Sequence, residues 1–238
     1  MTLSSTTSQL KYILEDFLHL LFPNTCIACQ GDLHRNEGLI CTYCRQRLPI
    51  TNYHLNPENP LAQRFWGRVP VKHAFAYLKY IKYSSVQQII HALKYQGKEE
   101  LSELLGLWYG YDLAHAGFRG EFDYILPVPL HASRQKQRGY NQSDGFAKGL
   151  AQSLETTWNP HTLKRIKASQ TQTNKSRYNR WLNVKDLFVV ADSNALKNKH
   201  ILLVDDVITT GATTEACLQS LLDAGCAQVS VAAIGSAK

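Results

Sequence analysis

The stretch Ile201 to Thr214, ILLVDDVITTGATT, constrains this chain more than any other. Ile201 to Val204 form an unbroken apolar run, the pattern of a strand buried on both faces of a parallel sheet. Two adjacent carboxylates, Asp205 and Asp206, close the predicted strand. A loop of hydroxyl residues around one glycine follows (Thr209, Thr210, Gly211, Ala212, Thr213), then a helical pattern over Glu215 to Ala224 that Gly225 ends. A strand, a short Gly/Thr loop and a helix N-terminus make an anion site. Unpaired N–H groups and the positive helix end hold a phosphate, threonine hydroxyls add donors, and glycine lets the backbone approach closely. Carboxylates beside a phosphate would repel it, so Asp205 and Asp206 need another role. As acceptor-only groups they suit a vicinal diol such as that of a ribose, directly or through a shared Mg²⁺. A strand ending in a capped turn would account for the threonines and the glycine but gives no reason for paired acids.

The 238 residues allow one large domain, or one domain with a small appendage. With 19% charged and 10% aromatic residues the composition is that of a globular protein, not a disordered one. A formal net charge of +7 favours an anionic partner, and nucleic acid, a membrane surface and a pyrophosphate all qualify. No apolar run is long enough to span a bilayer. Leu10 to Phe22 reads as an amphipathic helix containing Glu15 and Asp16 and lacking a basic start, so it does not read as a signal peptide. A cytoplasmic protein with reduced or metal-bound cysteines is expected.

Cys26 and Cys29 form one C-x-x-C pair, and Cys41 and Cys44 a second. Two such knuckles supply four thiolates for a tetrahedral Zn²⁺ site, structural because no position is left open for water. Two disulfides are the competing reading. The Asn- and Pro-rich stretch Asn52 to Pro60 marks a linker. The expected division is therefore a helix and zinc module over 1–60 and a larger domain over 61–238.

Within the larger domain, Val71 to Tyr83 suggests a hairpin or two short strands, and helices follow from Ser84 or Ser85 to Tyr95 and from about Lys98 to Ala116. Strands are predicted at Phe122 to Val128, Thr162 to Ile166, Leu187 to Val190 and Gln228 to Ile234, with a helix from about Gln142 to Leu154 and a basic loop from Leu130 to Asn141. Alternating strands and helices imply a mostly parallel α/β sheet. Ligands of such sheets sit beyond the carboxyl ends of the strands, which puts three loops at one rim: Pro129 to Asn141, Lys167 to Asn183 and Asp205 to Thr213. His131 also falls on that rim.

Four apolar residues, two acids, two apolar residues and Thr-Thr-Gly-x-Thr resemble the phosphoribosyl pyrophosphate (PRPP) motif of type I phosphoribosyltransferases. With the four-cysteine module and the PVPLHASRQKQRGYNQS stretch at 127–143, the whole resembles the ComF family (competence protein F, GntX-like), bacterial phosphoribosyltransferase-like proteins associated with DNA uptake. The resemblance implies a type I phosphoribosyltransferase-like parallel sheet flanked by helices, with a small four-cysteine zinc module. It implies PRPP binding by Asp205, Asp206, Thr209, Thr210, Gly211, Ala212 and Thr213, with Mg²⁺ accompanying the ligand, and pyrophosphate contacts from Arg134, Arg138, Gly139 and Asn141. A stretch containing Gln172, Arg180 and Asn183 corresponds to a flexible catalytic loop, although Lys167 and Ser169 stand where the family pattern often has Arg and Thr. Arg180 and Lys175, with Asp205 and Asp206, are the catalytic candidates.

The implied activity is transfer of phosphoribosyl to an unspecified acceptor with pyrophosphate release, within nucleoside metabolism or DNA uptake. A wall that chooses the acceptor is expected from the N-terminal half, including the zinc module and residues 61–83. The alternatives are a non-catalytic PRPP-binding or single-stranded-DNA-binding accessory of the DNA-uptake proteins, or a zinc-containing adaptor. The sequence leaves the acceptor and the oligomeric state open.

Overall fold

A computed structural model describes residues 24–166 and 187–237. The chain divides into two compact units, Met1–Leu48 and Pro49–Lys238. The N-terminal amphipathic stretch and the segment carrying Lys175 and Arg180 lie outside the described residues. No helix among those described is long and apolar enough to cross a membrane.

In the first unit, an antiparallel bridge pairs Thr25 with Asp32 around the first cysteine pair, and one short helix, α1 (Thr42–Gln46), carries the second. Glu37 lies between the two knuckles. Its carboxylate accepts the N–H groups of His34 at 3.0 Å and Thr42 at 2.6 Å, which ties the turn before α1 to the connecting segment.

The second unit is built on a five-stranded sheet in the order β1-β7-β6-β2-β3, and every neighbouring pair in it is parallel. Its strands are β1 (Ala74–Tyr80), β2 (Tyr124–Pro127), β3 (Thr157–Trp158), β6 (His200–Ile208) and β7 (Gln228–Ala237). Two further strands, β4 (Leu163–Arg165) and β5 (Phe188–Val190), stand apart as an antiparallel ribbon. Helices α2 (Ser85–Tyr95), α3 (Glu99–Leu113), α4 (Ala132–Arg138), α5 (Gln142–Leu154), α6 (Ser193–Leu196) and α7 (Ala212–Asp223) complete the unit.

Several sequence expectations change here. Val71 to Tyr83 holds one strand, Ala74–Tyr80, not a hairpin: Ala74 to Leu78 are all buried, and Lys72, Lys79 and Lys82 flank that run instead of alternating within it. Asp205 and Asp206 do not close β6, because its pairing with β7 continues to Ile208 opposite Ser236. The predicted basic loop contains α4, started by His131, whose Nδ1 accepts the Ser133 N–H, and ended by Gly139 at φ +80°. Asn52 to Pro60, which composition marks as a linker, packs on β1. Asn59 is 2% exposed, and its Nδ2 donates to the carbonyls of Tyr53, Asn56 and Ala74.

Helices α3 and α5 approach closely through glycines. A Cβ on Gly149 would stand 2.3 Å from the Glu103 carbonyl oxygen, and one on Gly106 would stand 2.4 Å from that of Phe146. On the opposite face of the sheet, Leu61, Phe65, Leu126, Val128, Ile201, Leu203, Val231 and Ala233 pack with Leu163 and Phe188 of the ribbon and with Cys217, Leu218 and Leu221 of α7. Both faces of the central strands are therefore covered, as their continuous apolar runs require.

Candidate functional site

Strand alternation sets the two acids apart. Successive side chains of β6 point to opposite faces. Asp205 thus follows Ile201 and Leu203 toward α7, where its Oδ2 accepts the Thr214 hydroxyl at 3.3 Å. Asp206 follows the other face toward α2, where Lys94 Nζ lies 3.1 Å from its Oδ2. The Asp206 N–H donates to Asp205 Oδ1 at 2.8 Å, and the Val207 N–H to Asp206 Oδ1 at 2.6 Å. Burial first, and then the Asp206 charge, push the Asp205 carboxyl up to about 7.

Beyond β6 the chain turns through Thr209, Thr210 and Gly211 into α7. Gly211, at φ +81°, sits against the Phe65 ring, which a Cβ would meet at 3.4 Å. Arg64 Nη1 donates to the carbonyl of Ile208 at 3.2 Å and also to that of Thr209, and Nη2 donates to that of Ala237. Arg68 donates to the Thr210 carbonyl at 3.4 Å and pairs with Glu215 in the first turn of α7. These cations occupy the carbonyl side of the loop. The first-turn N–H groups of α7, which have no intrahelical partner, and the positive helix end remain for an anion.

A cleft of about 330 Å³ opens at this rim. Asp205, Asp206, Thr209 and Thr213 line it together with Arg134 and Arg138 of α4, so six of the residues singled out in the sequence meet in one place. The side chains of Thr210, Gly211, Ala212 and Gly139 are not part of its lining. Asn141 is buried as the N-cap of α5, its Oδ1 accepting the Ser143 N–H at 3.2 Å and its Nδ2 donating to the Val128 carbonyl at 3.0 Å. His131 caps α4 and is not in the lining.

Sequence reasoning missed Lys94, Arg165 and Tyr80, which also line the cleft. Ile90 and Lys94 stand four apart on α2 and share its cleft-facing side. Arg165 ends β4 with its guanidinium 5.5 Å above the Phe188 ring, and its buried Nε has no partner among the described residues. Of residues 61–83, expected to wall the site, Tyr80 alone is among its lining residues.

The acids as they stand do not form an Mg²⁺ site. An ammonium holds the outer oxygen of Asp206, and the two carboxylates lean to opposite faces, whereas a Mg²⁺ shared between them demands a near-ideal octahedron of oxygens.

In the first unit, the four sulfurs of Cys26, Cys29, Cys41 and Cys44 lie within 4.8 Å of one another. The Cys29 and Cys41 sulfurs are 3.9 Å apart, far beyond a disulfide bond and close to the edge of about 3.8 Å of a tetrahedron with zinc–sulfur bonds of about 2.3 Å. The Cys41 N–H points to Cys26 Sγ at 3.3 Å and the Cys44 N–H to Cys41 Sγ at 3.4 Å. Burial raises the Cys26 thiol, but N–H groups of Cys41, Cys29 and Ala28 outweigh it and bring it down to about 7.

A phosphoribosyl transferase domain matches residues 143–236, and a double zinc ribbon domain matches residues 17–54. Together with the cysteine cluster, the ribbon match supports a structural zinc. The chain is 30% identical over 227 residues to competence protein F of Haemophilus influenzae, covering 88% of this chain and 96% of that one. It is 29% identical over 229 residues to DNA utilization protein YhgH of Escherichia coli strain K12, covering 89% and 96%. Among solved structures, glutamine PRPP amidotransferase from B. subtilis aligns at 18% identity with a TM-score of 0.43, over 61% of this chain and 30% of that one.

Proposed function

The chain belongs to the competence protein F family, and on that footing we propose that it binds PRPP at the β6–α7 rim and transfers the phosphoribosyl group to an acceptor. The observation that carries this reading is the convergence of Asp205, Asp206, Thr209 and Thr213 with Lys94, Arg134, Arg138 and Arg165 around one cleft. The loop over Thr209 to Thr213, including Thr210, Gly211 and Ala212, takes the 5′-phosphate on its N–H groups and hydroxyls. Asp205 and Asp206 accept from the ribose hydroxyls. Arg134 and Arg138 face the pyrophosphate, with Gly139 and Asn141 shaping the α4–α5 turn between them. In the reaction the C1–O bond breaks, pyrophosphate leaves with the electron pair, and the lone pair of the acceptor forms the new bond to C1 before its proton passes to solvent. The cations stabilise the charge that grows on the leaving group. Arg180 and Lys175 are our candidates for the remaining catalytic cations. The oxygens of the ligand's own pyrophosphate suit Mg²⁺ better than the two acids do, and the metal would shield their charge.

We carry the competence and DNA utilization roles named for the relatives to this chain as part of the proposal: the transfer serves DNA uptake or the use of its products. A second reading rests on Tyr95, which is 66% exposed and has the Arg138 guanidinium 5.6 Å from its ring centroid. An aromatic ring beside basic side chains suits single-stranded DNA, and the site would then serve as a binding accessory.

The deciding experiment is pyrophosphate release from PRPP across a panel of nucleobases and amines. Release that depends on one acceptor class and disappears in D205N/D206N is the expected result. Bound PRPP with no release for any acceptor, together with binding of single-stranded DNA, would favour the accessory role.

A further inference from the structure

Lys94 is the cleft cation that touches an acid, and its surroundings fix it there. It sits in the last turn of α2, where the negative helix end favours a cation, one turn after Ile90, which lines the same cleft. Its side chain is 24% exposed and that of Asp206 15%, so the pair at 3.1 Å is shielded from bulk water. The guanidiniums are held differently. Arg138 donates to the neutral Gln142 amide oxygen at 2.6 Å, and Arg165 rests on the Phe188 ring. Among the described residues neither guanidinium pairs with an acid, whereas Lys94 is a compact charge on a flexible stem that can exchange one anion for another.

We propose that Lys94 is the resident cation of this cleft, standing in for a metal held by the acids: it neutralises Asp206 while the cleft is empty and passes to the pyrophosphate when the ribose hydroxyls take Asp206. The inference rests on the PRPP reading above. A diol brings donors to Asp206, so the carboxylate no longer needs the ammonium as a hydrogen-bond donor. The ammonium in turn gains a more highly charged anion within reach. The exchange needs no divalent ion on Asp205 or Asp206, which lean to opposite faces, with the ammonium on Asp206.

Calorimetric titration of PRPP into the wild-type chain, K94M and K94R, each in Mg²⁺ and in a chelator of divalent ions, tests this directly. Thermal unfolding of each variant checks that it is folded. Wild type and K94R should agree within about threefold of each other in each medium, and both should still bind in chelator, weakened only by loss of the Mg²⁺ carried on the ligand's own pyrophosphate. K94M should lose about tenfold to a hundredfold in chelator, the size of one charge-assisted hydrogen bond, and regain part of that loss in Mg²⁺, because the vacated Asp206 oxygen then becomes available to the metal. K94M binding equal to wild type in chelator, or a K94M loss that is the same in both media, overturns the role of Lys94 and leaves the PRPP site standing. Absence of PRPP binding by wild type even with Mg²⁺ overturns both.

Discussion

Arg64 and Ile208, 144 positions apart in sequence, are joined by a hydrogen bond of 3.2 Å from guanidinium Nη1 to main-chain carbonyl. The same guanidinium also reaches the carbonyls of Thr209 and Ala237, so one side chain gathers the carboxyl ends of β6 and β7. Arg64 does not itself line the cleft, but it holds the main chain of Thr209, which does, and so fixes the loop whose N–H groups would bind phosphate. Replacing it with Gln removes the fork that serves these carbonyls together. These are charge-assisted bonds to at most part-buried carbonyls, so we expect a stability loss of up to about 1 to 3 kcal/mol in urea unfolding, and a fall in PRPP affinity as the loop loses its fixed shape. Calorimetry and urea unfolding of R64Q measure the two effects, and an unchanged affinity would mean that the loop holds its shape without the clamp.

Gly149 tests how the α3–α5 pair is held. A Cβ there would stand 2.3 Å from the Glu103 carbonyl, 2.7 Å from the Leu107 nitrogen and 2.9 Å from the Gly106 carbonyl carbon, all main-chain atoms that cannot rotate away. Alanine gains about 1 kcal/mol of helix propensity, but the helices must separate to admit it, at about 1 to 3 kcal/mol or more. G149A should therefore be net destabilised in urea titration. A neutral or stabilised variant would show that the crossing adjusts freely.

The sheet strands and the Gly/Thr loop that enters α7 could be read from sequence because both are local signals. Ile201 to Val204 are fully buried as their composition implies, and Gly211 takes the positive φ that a loop entering a helix needs. Cys217 and Cys226, read as small core residues, are 0% and 7% exposed. What could not be read depends on contacts across the fold. The Arg64 clamp and the Lys94–Asp206 pair join residues more than a hundred positions apart, and no periodicity encodes them. The apolar run of β1 resembled a hairpin because its long-range partner, β7, comes last in the chain. The paired acids suggested a shared metal, but their placement inside β6 rather than after it sends them to opposite faces, with Lys94 on Asp206.

The first unit should stand or fall with its metal. Four sulfurs in tetrahedral reach, and few other buried side chains among the described residues of this unit, mean that zinc supplies much of the folding free energy of this module. Metal analysis of reduced protein should give about one zinc per chain. Changing the buried Cys44 to Ser should abolish zinc retention and make residues 24–48 the first segment cleaved in limited proteolysis. Full-length protein carrying two disulfides and no zinc would refute this account.

Asp205 gives the site a pH dependence whose sign differs between stability and binding. Its folded-state value of about 7 lies above the value of about 3.9 for an unfolded chain, owing first to burial and then to the Asp206 charge. Between those values the folded state keeps a proton that the unfolded state has released. The contribution of Asp205 to stability is therefore present at acid pH and is lost as pH rises toward 7. Binding runs the other way, because a ribose diol needs the ionised acceptor. PRPP affinity should climb between pH 6 and 8, by at most about tenfold per unit below the titration point, and then level off. D205N, which cannot titrate, should flatten both curves: its melting temperature should exceed that of wild type at pH 8, while its affinity should be lower there. Part of the wild-type slope comes from the ligand's own phosphate, so the difference between wild type and D205N is the quantity to read. Parallel slopes for the two proteins would remove Asp205 from the diol site.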